Sequence, residues 1–168
     1  MMRLEVDGLT FTFSAGWSAD KYDDWSFYRN QFGKMRDGIK AIDLLVLDPD
    51  NTAWFVEVRD YRRHPHTKPS ELGDELSRKV FDTLAALLPA QVSANEEPER
   101  QMASAILRAS RLRVVLHLEQ PAKHSRLRPR AINPADVAQK LRRLLKPIDA
   151  HPVVAETDHM RGLGWRVA

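Results

Sequence analysis

The chain of 168 residues contains no cysteine. Disulfides, cysteine nucleophiles and cysteine-ligated zinc are thereby excluded, and a reducing compartment fits. No apolar run approaches the ~20 residues that a membrane-spanning helix needs. The opening MMRLEVDGLTFTF carries an early acid and alternates apolar with polar residues, unlike the continuous apolar centre of a secretory signal. A cytoplasmic location with no membrane partner is expected. There is no glycine-rich phosphate loop and no G-x-S-x-G elbow, which argues against a nucleotide-driven motor or an α/β-hydrolase. Internal repeats, low-complexity tracts and linkers are also missing. The length is enough for one domain that buries roughly 70% of its unfolded surface without a staple.

What is present is sorted by charge. Residues 1–99 carry twelve bases and eighteen acids, a net of −6, whereas residues 100–146 carry twelve bases and two acids, a net of +10. The remaining tail adds −1, giving +3 overall. Clustered Lys and Arg gain affinity for phosphates by releasing counterions, so the basic half points to a polyanion. A solvated helix face is the plainer reading of the same charges. Lys123, Arg126, Arg128 and Arg130, in KHSRLRPR, are the candidates for contacts to a nucleic-acid backbone; an exposed loop is the alternative.

Periodicity predicts a mixed α/β fold. Asp7-Gly8 between two alternating runs marks a hairpin. Residues 18–35 place Tyr22, Trp25, Tyr28 or Arg29, and Phe32 at helical steps behind a possible Ser18 cap, with the aromatics read as core. GIKAIDLLVLD and NTAWFVEVRDY read as two strands joined at Pro49-Asp50-Asn51. A helix from about Ser70 to Leu88 follows, limited by Pro89, with Leu72, Leu76, Val80, Leu84 and Leu87 or Leu88 as its buried stripe. A further helix over about 96–110, a strand at LRVVLHLEQ, a helix from Pro134 to Pro147 and two short strands complete the chain.

The strand AWFVEVRDY holds two charges, Glu57 and Arg59, on one face. If Pro49-Asp50-Asn51 forms a type I turn followed by a left-handed Asn51, opposed residues sum to 100 and Asp43 faces Glu57. Two carboxylates so placed would suit a hard divalent cation, Mg²⁺ or Mn²⁺. Strand-end charges matched by Arg59 are the alternative. His64 and His66 in HPH are read as solvated, and His117 as a satisfied core histidine.

Asp43 in IKAIDLLVLD, followed by a turn, FVEVRDYR and a long helix, resembles the PD-(D/E)XK nuclease superfamily. The likeness covers about residues 18–120, leaving a basic extension over about 121–168 within a single domain. It implies a restriction-endonuclease-like α-β-β-β-α-β core with a central mixed sheet flanked by helices. It further implies Mg²⁺- or Mn²⁺-dependent hydrolysis of DNA phosphodiesters, with Asp43 and Glu57 as metal ligands. Arg59 departs from the motif lysine. Arginine keeps its proton, so Arg59 cannot be a general base but could hold a phosphate. Lys79 is the first candidate to replace the lysine, ahead of Lys40 and Lys68, and Asp23 or Asp24 could add a helix acid. A binding module without catalysis, or a protein-interaction component of a bacterial operon, are the alternatives. A protein partner or homodimer is compatible with either.

Overall fold

The computed structural model describes residues 1–63, 71–127 and 130–168. Its centre is a five-stranded mixed sheet in the order β3-β4-β5-β6-β7, formed by Ser18–Lys21, Leu44–Leu47, Thr52–Asp60, Arg111–Glu119 and Val153–Ala155. β3, β4 and β5 pair antiparallel, whereas β5, β6 and β7 run parallel. Three helices accompany it: α1 (Leu72–Ser93), α2 (Glu97–Leu107) and α3 (Pro134–Leu145). α3 makes the crossover between β6 and β7 that parallel strands require. Asn133 caps α3 by accepting from the Ala135 amide, and Pro134 takes its first turn, where no donor is missed. No helix among the described residues is long and apolar enough to cross a membrane.

Alternation on the strands divides the core in two. Ala53, Phe55 and Leu45 face the helices together with Leu72, Leu76, Val80 and Leu141. Leu44, Val46, Val56 and Val58 point the other way, onto a three-stranded sheet of β1 (Met2–Val6), β2 (Leu9–Phe13) and β8 (Arg166–Val167). The β1–β2 hairpin turns at Asp7 and Gly8, both with positive φ (51° and 80°), as this two-residue loop demands.

Two expectations need correction. Residues 18–35 are not one helix: Ser18–Lys21 is an edge strand on Leu44–Leu47, and three short turns follow at Tyr22–Asp24, Phe27–Gln31 and Phe32–Lys34. Trp25 breaks the first from the second with an extended ψ of 135°, and its indole N–H donates to Asp20. The aromatics are nevertheless core, with Tyr22, Trp25 and Phe27 buried. Pro89 does not limit α1, which continues to Ser93. The donor it lacks would serve the carbonyl of Ala85, an exposed residue on the solvent side of the helix, while Ala86, Leu87 and Ala90 on either side are buried. Leu88 is exposed, so the stripe passes through Leu87.

Candidate functional site

The β4–β5 turn sets the site. Asn51 has φ 62°, the Asn51 amide donates to the Asp48 carbonyl at 3.1 Å, and the Asp48 amide donates to the Thr52 carbonyl at 3.0 Å. Pairing from Leu47↔Ala53 to Leu44↔Val56 runs in the register that sums to 100, and its next step sets Asp43 against Glu57. Asp43 lies just before β4 on the helix-facing side. Its Oδ2 accepts from the Val58 amide at 2.8 Å.

Glu57 is fully buried, a position acids rarely take without partners. Its Oε1 accepts from Arg59 Nη1 at 2.5 Å and from Lys79 Nζ at 3.0 Å, so α1 delivers a second cation to the same oxygen. Its Oε2 is buried with no protein donor. Burial, then the neighbouring Asp43 carboxyl, push the Glu57 acid well above its usual range, against the pull of Arg59 and Lys79. Asp23 adds a third acid: burial first, then Asp43, raise it to about 6, and its Oδ1 also lacks a partner. Asp24 turns outward to Lys21 and Arg29.

These side chains share one edge for a topological reason. Glu57 and Arg59 are near the C-terminal end of β5, which pairs with β6 through Arg59↔Leu118 and Asp60↔Glu119. β4 is antiparallel to β5 and β3 to β4, so Asp43 and the Tyr22–Asp24 turn come to the same end. Ligands of open α/β sheets gather outside the carboxyl ends of the parallel strands. The basic stretch after β6 leaves from this edge too, with Lys123 and Arg126 exposed.

Arg130 is committed elsewhere. It donates to the Pro121 carbonyl at 2.5 Å and approaches Glu156 at 3.3 Å, so it clasps the loop to the segment after β7. Lys40 is exposed, and its amide is bonded to Asp82 of α1. His64, His66, Lys68 and Arg128 lie outside the described residues. His117 is half satisfied: Nε2 meets Glu119 at 2.9 Å, while the buried Nδ1 has no partner.

Glu99 carries no signal in the sequence. It is buried and accepts from the amides of Ser26 and Phe27 at 3.0 and 2.9 Å, tying α2 to the turns that carry Asp23. No local pattern joins residues 72 or 73 positions apart.

Among the described residues, no three His, Asp or Glu side chains form a cluster fit to enclose a metal ion. The Asp43–Glu57 pair offers only carboxylate oxygens, the donor chemistry of a hard divalent cation, but Glu57 is fully buried.

No protein-family model matches the chain, and no solved structure matches it. A cysteine–tRNA ligase from Neisseria meningitidis (serogroup A / serotype 4A, strain DSM 15465 / Z2491) is 26% identical over 201 residues, covering 95% of this chain and 29% of the ligase. The chain thus spans less than a third of the relative's length. This relative corrects the expectation of a DNA-hydrolysing nuclease, because it is named for a ligase reaction on tRNA. The likeness is to one portion of a longer tRNA-charging protein.

Proposed function

We propose that the protein is an RNA-binding module, built on a PD-(D/E)XK-like core, that engages the phosphates of a structured RNA such as tRNA at the edge where β5 and β6 end. One observation carries the reading: the acid cluster with its two cations and the exposed basic stretch lie on the same sheet edge. The match to a tRNA ligase supports RNA over DNA. Arg59 remains charged in any surroundings and leaves about a fifth of its side chain open to water, so it can meet a phosphate. The reading is one of binding. Mg²⁺ or Mn²⁺ is the accompanying ion that Asp43 and Glu57 would hold by their oxygen chemistry, and it would neutralise charge between these acids and an RNA phosphate.

Fluorescence anisotropy with labelled tRNA and a DNA duplex of equal charge tests it. tRNA should bind with an affinity that falls steeply with salt, and Lys123→Glu with Arg126→Glu should weaken it about tenfold. Undetectable tRNA binding, or affinity indifferent to salt, would overturn the reading.

The cation has its own signature in stability. Asp23, raised to about 6 from 3.8, and Glu57, raised in the same direction, favour the folded state below the ordinary carboxylate range. That contribution is lost as pH climbs through the raised values. A cation held by the ionised acids offsets the loss only on the alkaline side. Mg²⁺ at about ten times its Kd should add about 1.4 kcal/mol at pH 8, roughly 3–5 °C in Tm, and almost nothing at pH 4.5. An equal shift in Asp43→Asn would place the ion elsewhere.

A further inference from the structure

The basic half of the sequence is not one surface. β6 spans nine residues, about 30 Å at ~3.3 Å per residue, and the fold sends the cations to both of its ends. Lys123 and Arg126 follow its C-terminal end, beside the site. At its N-terminal end stand Arg111, which opens β6, and Arg108, the residue after α2. α3 runs back against the parallel strands and brings Arg142, Arg143 and Lys146 to this second pole. The placement is fixed by Asp149, whose amide bonds the Leu145 carbonyl at 2.8 Å and whose Oδ2 accepts from the Val114 amide at 2.8 Å.

All five side chains are exposed. Arg108 spends one nitrogen on Ser104 Oγ, at 2.6 Å, and the other four have no acidic partner among the described residues. Asp149 is already used by Arg113 Nε and by the amides of Val114 and His151. Asp50 on the β4–β5 turn is an exposed acid close by, since the neighbouring Asn51 bonds the Arg108 carbonyl. An open groove of about 280 Å³ between Arg111 and His151 gives the pole a recess.

We infer that this second pole is a separate phosphate-binding surface, and that a single structured RNA reaches from it to the β5–β6 edge. The inference rests on the RNA reading above and supplies its reach: a ligand longer than about 30 Å, the length of β6.

The test compares wild type, the pole variant Arg142→Glu with Arg143→Glu and Lys146→Glu, and the edge variant Lys123→Glu with Arg126→Glu. tRNA binding is followed by anisotropy across a salt series, and stoichiometry by sedimentation. Wild type should bind one tRNA per chain. The pole variant should bind at least tenfold more weakly, with the slope of log affinity against log salt shallower by about two to three. Glutamine at the same three positions should lose less, in the same direction.

Unchanged affinity and slope in the pole variant, with a lowered Tm, would assign these cations to the dipole of α3 and overturn the inference. If the edge variant is unaffected while the pole variant loses binding, the pole stands as a phosphate surface, and the site reading and the bridging RNA both fall. Loss in the edge variant alone leaves the site reading and removes the pole. Wild type that binds no RNA overturns both, and two tRNA molecules per chain overturn the single bridging ligand.

Discussion

Replacing Arg59 with methionine is expected to cost roughly 2–3 kcal/mol of folding stability at pH 8, and less than about 1 kcal/mol at pH 5. Removing one partner of a buried ion pair costs about 3–5 kcal/mol when the other charge is stranded. Here the figure is discounted because Lys79 still meets Glu57 at 3.0 Å and because Arg59 is partly open to water. The pH dependence follows from Glu57, whose acid is already raised by burial and by Asp43. Without Arg59 it rises further. A raised folded-state value leaves stability intact below the unfolded glutamate range and removes it as pH increases. As pH falls, the raised Glu57 acid takes up its proton and leaves less charge to strand. Urea denaturation at the two pH values measures the difference. An equal loss at both would assign Arg59 a packing role and no electrostatic one.

Glu99→Ala should cost about 3 kcal/mol, and Glu99→Gln about half of that. Each amide that Glu99 accepts from is left without its charged partner, and an unsatisfied buried donor costs about 1–3 kcal/mol. Glutamine keeps one acceptor oxygen and so recovers one bond. The Phe27 bond is buried and the Ser26 bond partly so. Both lie at the start of the Phe27–Gln31 turn, where no side chain of that turn acts as cap. The loss should be local as well as global: amide exchange of Ser26 and Phe27 should accelerate more than that of β5. Uniform acceleration across the chain would show that Glu99 supports the core in general.

How far the sequence could be read depends on the range of the interaction. The β4–β5 register was legible because Pro49, Asp50 and Asn51 carry the turn within three residues, and the turn alone decides that Asp43 opposes Glu57. The same holds for Asp7-Gly8 and for the Pro134 start of α3. The segment 18–35 is ambiguous in sequence, because aromatic residues at three- and four-residue steps satisfy a helix and an irregular packed turn equally. Its choice is made by partners outside it: Leu44–Leu47 as a strand neighbour and Glu99 as an acceptor. Pro89 is a poor stop signal on its own, since the cost of its missing bond depends on whether it falls on the solvent side of the helix, where Ala85 is exposed. At the site, Lys79 could be nominated from the sequence as lying on the helix after β5, but its grip on the same oxygen as Arg59 is a property of packing. Charge was legible as a total and illegible as a surface, because the α3 crossover separates one basic run into two ends of the sheet.

The three-residue turn between β4 and β5 also has a consequence for the order of folding. That pairing closes a short loop, whereas the β5–β6 pairing must close the fifty residues from Tyr61 to Ser110, an entropic cost that grows with loop length. Asp43 and Glu57 are therefore expected to meet first in water, where like charges repel weakly. Their repulsion is felt in full only when α1 docks and excludes solvent, and α1 is the element that carries Lys79. The helix that creates the electrostatic barrier thus arrives with the charge that lowers it.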